Sequence, residues 1–213
     1  MIKLRKFYYV VAAAFAIGAM VIVLSRTGIR LQMPHLIFTP PSPSGAGSEF
    51  LSSLSSLGNE YSNYQLATNP RKQIDTTQLS VEVVNDVKDF TDVALAYSSG
   101  FISSIQLDDA ARSEITRVIR DGVSSYLSKK CRVTARANLR ILIMAYAHRE
   151  TYFDSNQNPE GIINLKVYLL DTAGRTVLWY SDKAWGPGRT PEDAAKFSYG
   201  SINRQLDTLF GSQ

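Results

Sequence analysis

The sequence predicts an α+β domain, with helices packed on one face of a mostly antiparallel sheet, preceded by one N-terminal transmembrane helix. Three observations lead there. Residues 7–24 form a run without a charge. Several later stretches alternate apolar and polar side chains with the period of a half-buried strand. Two longer stretches carry an apolar stripe at helical spacing and open on capping residues, one at Asp108-Asp109 and one at Thr190-Pro191.

At about 1.5 Å per residue, the 18 residues of the uncharged run make a helix of roughly 27 Å, sufficient for the hydrocarbon core of a bilayer. Lys3, Arg5 and Lys6 precede it, so the short N-terminus (residues 1–6) is expected in the cytoplasm and the remainder outside. A cleavable secretory signal is the competing reading. The run is longer than the apolar part of such signals, and no small-x-small cleavage site follows it. Its apolar character on all sides argues against a third reading, a buried helix of a soluble protein.

Charge points the same way. The chain has a net charge of +4 and a pI near 9.1, values that invite a nucleic-acid reading. Lys3, Arg5, Lys6, Arg26 and Arg30 stand in the first 30 residues with no acid, however, and the other 183 residues hold 18 bases against 19 acids. The excess belongs to the flanks of the apolar run, and no nucleic-acid partner is expected. The composition, 45% hydrophobic and 20% charged, excludes a wholly disordered chain.

Residues 25–72 read as a Pro/Ser/Gly-rich tether, with Pro34, Pro40, Pro41 and Pro43 close together. Phe50, Leu51, Leu54, Leu57 and Tyr61 recur at helical spacing and allow a short amphipathic helix within it. Such a helix would cover the edge of the domain, or dock to a partner or the membrane surface.

The folded domain is expected over residues 73–213. Leu79, Val81, Val83 and, more loosely, Val87 alternate with polar neighbours as one strand, while residues 89–105 fit either a strand and turn or a short helix. The helix after Asp108-Asp109 places Ile115, Val118, Ile119, Gly122 and Tyr126 on one face and ends at Lys129-Lys130, with acids and bases suited to its dipole. Residues 138–151 make a strand with Leu139, Ile141, Ile143, Ala145 and Ala147 on one face and Arg140, Leu142, Met144, Tyr146 and His148 on the other. A polar loop over 154–161 leads to strands at 162–170 and 176–182. Asp171-Thr172-Ala173-Gly174 suits the hairpin between them, with Gly174 free to take positive φ. Gly186-Pro187-Gly188 is expected as a tight turn ending the sheet. The last helix has Thr190 as N-cap and Pro191 at its first position, with Ala194, Phe197, Ile202, Leu206 and Leu209 on its apolar stripe.

The helix ending near Lys130, the strand opening after Arg136-Ala137-Asn138-Leu139-Arg140, the hairpin from Ile163-Asn164-Leu165 through Asp171-Thr172-Ala173-Gly174-Arg175-Thr176 to Val177-Leu178-Trp179, and the capped C-terminal helix together resemble a class of bacterial envelope accessory domains. These are the plug lipoproteins of lipopolysaccharide assembly, the auxiliary lipoproteins of ABC-type lipid transporters, the penicillin-binding-protein activators, and the periplasmic domain of the curli secretion channel. The resemblance covers residues 75–210. It implies a non-catalytic envelope component that binds a partner protein or assembles into a ring, and the expected setting is a homo- or hetero-oligomer in a secretion, motility or transport machine. The alternative it leaves is an auxiliary component that binds a lipid or other amphiphile. No lipid-acceptor Cys follows the apolar run, which departs from the lipoproteins and favours a single-pass inner-membrane protein with a periplasmic domain.

Chemistry is sparse. His35 and His148 lie in unrelated contexts, His148-Arg149-Glu150 reads as an ordinary strand end, and Asp108-Asp109 as a helix cap. Neither a nucleophile motif nor a phosphate loop is present, and no cofactor, metal site or catalytic residue is expected. Cys131 is the sole cysteine, expected buried and inert, with intermolecular pairing as its alternative. The aromatics Tyr146, Tyr152, Phe153, Tyr168, Trp179, Tyr180 and Trp185 are expected in the core, or at an edge used by a partner. One candidate binding feature remains. Arg112, Arg117, Arg120, Lys129, Lys130, Arg132, Arg136 and Arg140 crowd one stretch, and if they converge they form a patch for an acidic protein, an anionic lipid or an anionic polymer. The other reading is a solvated surface neutralised by neighbouring acids.

Overall fold

The computed structural model describes residues 46–67 and 78–210. The apolar run at 7–24 and most of the tether lie outside the described residues, as does the neighbourhood of His35. Among the described residues, no helix is long and apolar enough to cross a membrane.

The core is a six-stranded sheet. In chain order its strands are β1 (Gln65–Leu66), β2 (Gln78–Asn85), β5 (Arg132–Val133), β6 (Leu139–Phe153), β7 (Pro159–Asp171) and β8 (Thr176–Gly188). A separate pair is formed by β3 (Asp89–Thr91) and β4 (Ser104–Gln106). The helices are α1 (Ala46–Ser55), α2 (Val93–Ser99), α3 (Asp109–Leu127) and α4 (Pro191–Phe210). The spatial order of the sheet is β1-β8-β7-β6-β2-β5. The long central pairs, β6 with β7 and β7 with β8, are antiparallel, while β2 runs parallel to β6 and the two short edge strands pair in parallel. The fold is thus a mixed α/β arrangement with a sheet-dominated core. The undecided stretch at 89–105 is both things the sequence allows, a strand pair with a helix inserted between its strands.

Alternation along β6 and β7 divides the sheet into two faces. Leu139, Ile141, Ile143 and Ala145 of β6, with Ile163, Leu165, Val167 and Leu169 of β7, are buried on the first face. Against them pack Ile115, Ile119, Val123 and Leu127 of α3 and Ala194, Ala195, Ile202 and Leu206 of α4. The second face carries Leu142, Tyr168, Leu170 and Val177, and here the expectation of helices on one face is corrected. Phe50 and Leu54 of α1, with Tyr61 beyond it, cover these residues in a second apolar cluster. The Phe50 ring lies 3.9 Å from that of Tyr180, and the Tyr168 hydroxyl donates to the Phe50 carbonyl at 3.3 Å. Residues 46–67, read from the sequence as part of a tether, therefore belong to the folded body. Two apolar faces on the sheet need two covers, and the Phe50/Leu54 stripe supplies the second.

Two turn assignments are also corrected. Gly186 and Gly188 lie within β8, paired with Ile163 and Gly161, instead of in a turn beyond it. Their role is to let α4 approach. A Cβ on Gly186 would stand 2.3 Å from the Ser198 nitrogen, and one on Gly188 2.3 Å from that of Ala194. In the 171–174 hairpin the positive φ, 46°, falls on Arg175 and not on Gly174. Asp171 Oδ1 accepts from the backbone N–H of Ala173 and of Gly174 at 3.1 and 3.0 Å, and a Cβ on Gly174 would meet that carboxylate at 2.9 Å. Glycine is needed there for close approach.

The cap of α4 is as expected. Thr190 Oγ1 accepts from the Asp193 N–H at 3.2 Å, an N-cap bond, and its hydroxyl donates to the Asp193 carboxylate at 2.9 Å. Ala194, Ile202 and Leu206 of the expected stripe of α4 are buried and Leu209 packs partly against the core, but Phe197 does not. Ser198 is buried, donating to the Ile163 carbonyl at 2.9 Å, whereas Phe197 is 63% exposed.

Candidate interaction surface

The β3–α2–β4 hairpin leaves the end of the sheet at which β2 finishes, and its base is firmly held. Val87 is buried, and its N–H donates to Asn85 Oδ1 at 2.9 Å. Phe90 is buried against β7, where Gly161 leaves room for its ring: a Cβ there would fall 2.4 Å from Cζ. Phe90 pairs with Ile105, and the Leu107 N–H donates to the Lys88 carbonyl at 2.9 Å. Within the hairpin, Asp92 caps α2 by accepting from the Leu95 N–H at 3.0 Å. Gly100, at φ 69°, closes the helix with its N–H on the Ala96 carbonyl.

With this scaffold fixed, α2 buries none of its residues. Tyr97 and Phe101 are 74% and 75% exposed, and Leu95, Ile102 and Ile105 are exposed beside them. Tyr152 and Phe153 of β6 and Trp185 of β8 are exposed at the same end, the rings of Tyr152 and Trp185 lying 5.7 Å apart. The aromatics expected in the core or at an edge are thus divided, with Tyr168 fully buried and this trio at the tip. A register shift between His148 and Tyr152 separates the tip of β6 from its regular ladder. A groove of about 630 Å³ opens between the hairpin and the start of α4, walled by Phe90, Val93, Tyr97, Ile105, Pro159 and Pro191.

Acids dominate this end. Between Lys88 and Arg112 the chain carries Asp89, Asp92, Asp108 and Asp109 and no base. Asp108 caps α3, accepting from the Ala111 N–H at 2.7 Å, which accounts for the Asp108-Asp109 pair as a helix start. Asp154 organises the loop after β6 by accepting from the N–H groups of Asn156 and Asn158 at 2.8 and 2.9 Å. Hydrogen bonds from Asn158, helped by Arg189, hold its carboxyl below the ordinary range. Burial pushes the neighbouring Glu160 carboxyl the other way.

The eight bases of the sequence-predicted patch do not come together. Arg117 is engaged by Glu114 and Asp121 along α3, Arg120 by Asp121, and Arg112 reaches Asp109 and the Asn85 carbonyl. Arg140 lies across the sheet from α3. Its Nη1 donates to Glu82 Oε2 at 2.6 Å, while Tyr61 donates to Glu82 Oε1 at 2.9 Å, so that this trio ties the segment after α1 to β2 and β6. Burial, with the Glu82 carboxylate adding to it, pushes the Tyr61 phenol far above its ordinary range. Lys130 donates to Asp207 of α4 at 3.0 Å, a bond that raises the ammonium's pKa. What remains is a smaller group. Lys129, Arg132 and Arg136 are exposed around β5 and make no ion pair among the described residues. They stand at the end of the sheet opposite the hairpin, since Arg132 pairs with Gln78, the first residue of β2.

Cys131 is buried, and burial pushes its thiol pKa up to about 11. The side chains of residues 148–150 lie outside the described residues. Among the described residues, no group of three or more His, Cys, Asp or Glu side chains is placed to hold a metal ion. The exposed apolar hairpin was not identified in the sequence as a site. The signal available was Tyr97, Phe101, Ile102 and Ile105 in a stretch that fits both a strand and turn and a short helix, with no single face to bury them.

No family model matches the chain, and no curated protein matches it. Among solved structures, it is similar to a PelC dodecamer from Paraburkholderia phytofirmans, at 9% identity over 64% of this chain and 89% of that one, with a TM-score of 0.35. It is also similar to a putative neuraminyllactose-binding hemagglutinin homolog from Helicobacter pylori, at 8% identity over 65% and 87% of the two chains, TM-score 0.35. Protein XCC0632 from Xanthomonas campestris is 15% identical over 68% and 95%, TM-score 0.36. Likenesses of this size assign no function to this chain.

Proposed function

We propose that this chain is a membrane-anchored, non-catalytic structural or accessory subunit of a bacterial envelope assembly, acting by protein–protein contacts. Residues 7–24 anchor it in the inner membrane as a single-pass segment, and the basic residues before them keep the N-terminus in the cytoplasm and put the folded domain in the periplasm. The accessory domains it resembles in sequence organisation belong to the same setting.

The observation that carries this reading is the hairpin. A short helix that buries nothing, held on a buried Phe90 and exposing Tyr97 and Phe101, contributes little to the stability of its own domain. Exposed apolar side chains grouped on a fixed support gain free energy only when a partner covers them. The acids support the non-catalytic part, because Asp92, Asp108, Asp154 and Asp171 each commit one carboxylate oxygen, Oδ1, to backbone N–H groups. The alternative, an amphiphile-binding transport component, rests on the open groove beside Phe90. It draws no support from the space between the sheet and α3 and α4, which is filled by side chains.

Crosslinking of the full chain in intact membranes, followed by pull-down, tests the proposal. Covalent adducts with other envelope proteins or with further copies are expected. Recovery of a free monomer alone would overturn it, and tightly retained lipid in place of protein adducts would shift the reading to the amphiphile-binding alternative.

A further inference from the structure

We infer that the apolar end of one copy seats on the basic end of a second copy, head to tail. This rests on the reading of the chain as an assembly subunit and names its partner.

The two surfaces complement one another and lie at opposite ends of β2. One presents Tyr97, Phe101 and Ile102 on a segment that carries Asp89, Asp92, Asp108 and Asp109 and no base between Lys88 and Arg112, with Arg189, itself beside Asp154, on the wall of the adjoining groove. The other presents Lys129, Arg132 and Arg136, exposed and making no ion pair among the described residues, around the short edge strand β5. An eight-residue strand spans roughly 25 Å, so a copy cannot fold one end onto its own other end. A second copy can bring them together. Guanidinium groups bind carboxylates and also stack on aromatic faces, so Arg132 and Arg136 suit a surface that mixes aspartates with a tyrosine and a phenylalanine. Their aliphatic stems cover apolar area while their heads remain partly wet.

The same charges argue against the membrane surface as the occupant. Anionic headgroups repel the acidic apolar end, and among the described residues the basic end that would attract them presents none of the exposed large apolar side chains. They also argue against a symmetric contact, which would set acid against acid. A contact between unlike surfaces propagates from copy to copy, closing into a ring or continuing as a filament.

The test uses the full chain in its membrane, with two differently tagged copies co-expressed. One carries Phe101→Cys and the other Arg136→Cys, both at exposed positions, while the native Cys131 is buried and serves as the unreactive control. Under mild oxidation a mixed-tag disulfide is expected from the pair and not from either variant alone. Arg132→Glu in the second copy is expected to lower its yield by about tenfold. A disulfide between two Phe101→Cys copies would overturn the head-to-tail geometry, as would a mixed-tag yield indifferent to Arg132→Glu. Adducts only with a different envelope protein would overturn the inference and leave the assembly reading standing. Absence of any protein adduct, by disulfide or by general crosslinker, would remove both.

Discussion

Replacing Phe50 or Leu54 by alanine tests whether residues 46–67 are part of the folded domain or a tether. Leu54 is fully buried and Phe50 nearly so, the latter between Tyr168 and Tyr180 with ring centroids at 6.0 and 3.9 Å. Truncating a buried Leu costs about 2–5 kcal/mol and a buried Phe about 3–5 kcal/mol, from lost transfer free energy and the cavity left behind. A solvated tether would lose less than about 0.5 kcal/mol at either position. The two readings therefore differ by several-fold in the measured quantity. Urea denaturation of the full chain in mild detergent, followed by tryptophan fluorescence, gives the change in midpoint. Trp179 is partly buried in the first cluster and reports the whole sheet. Ser52, exposed on the outer side of α1, supplies the control, and Ser52→Ala is expected within about 0.5 kcal/mol of the parent. If Phe50→Ala and Leu54→Ala both matched Ser52→Ala, the second apolar cluster would not contribute to stability and the two-cover account of the sheet would be wrong. If they exposed α1 to hydrogen exchange without moving the midpoint, α1 would be a cover that opens independently.

Three further outcomes follow from the same structure. Gly186→Ala forces a Cβ against the α4 backbone and is expected to cost about 1–3 kcal/mol. Gly200→Ala, within α4 with open space around it, should gain about 1 kcal/mol, so thermal melts of the two should shift in opposite directions. For Cys131, burial raises the thiol from a pKa of 9.0 to about 11, so the folded state favours the neutral form. Its contribution is complete below pH 9 and is lost as the pH rises toward 11, and mass spectrometry after alkylation at pH 8 should find the thiol unmodified until the chain is unfolded. In a double-mutant cycle, Glu82→Gln and Arg140→Met should show a coupling of about 1 kcal/mol, because the pair is only partly shielded from water. A coupling near zero would mean that the Tyr61–Glu82–Arg140 trio does not hold the α1 segment to the sheet.

The parts of the fold legible in the sequence are those whose causes are local. Asp108 and Thr190 cap the helices that follow them because a side-chain oxygen reaches an N–H three residues on. The alternation of residues 139–147 separates two faces because strand side chains point to opposite sides in turn. Where several local signals competed, the sequence was ambiguous, as in residues 89–105. Gly186-Pro187-Gly188 has the composition of a turn, and only the nearness of α4 explains why a strand carries two glycines there. The basic cluster had the density of a binding patch, but helix pitch, a turn and a strand direct its members to different neighbours.

By itself the sequence determined the apolar run and its basic flank, the types of most elements, and the first apolar face, since each is written in side chains within a turn or a few pleats of one another. The tertiary structure decided what covers the second face, which bases remain unpaired, and which aromatics are left outside. Those outcomes depend on contacts such as Tyr168 with Phe50, separated by 118 residues, and Arg140 with Glu82, separated by 58. Periodicity tells that a side chain has a buried or exposed side. It holds no information about which distant segment arrives to meet it, and that arrival turns an apolar hairpin into either core or surface.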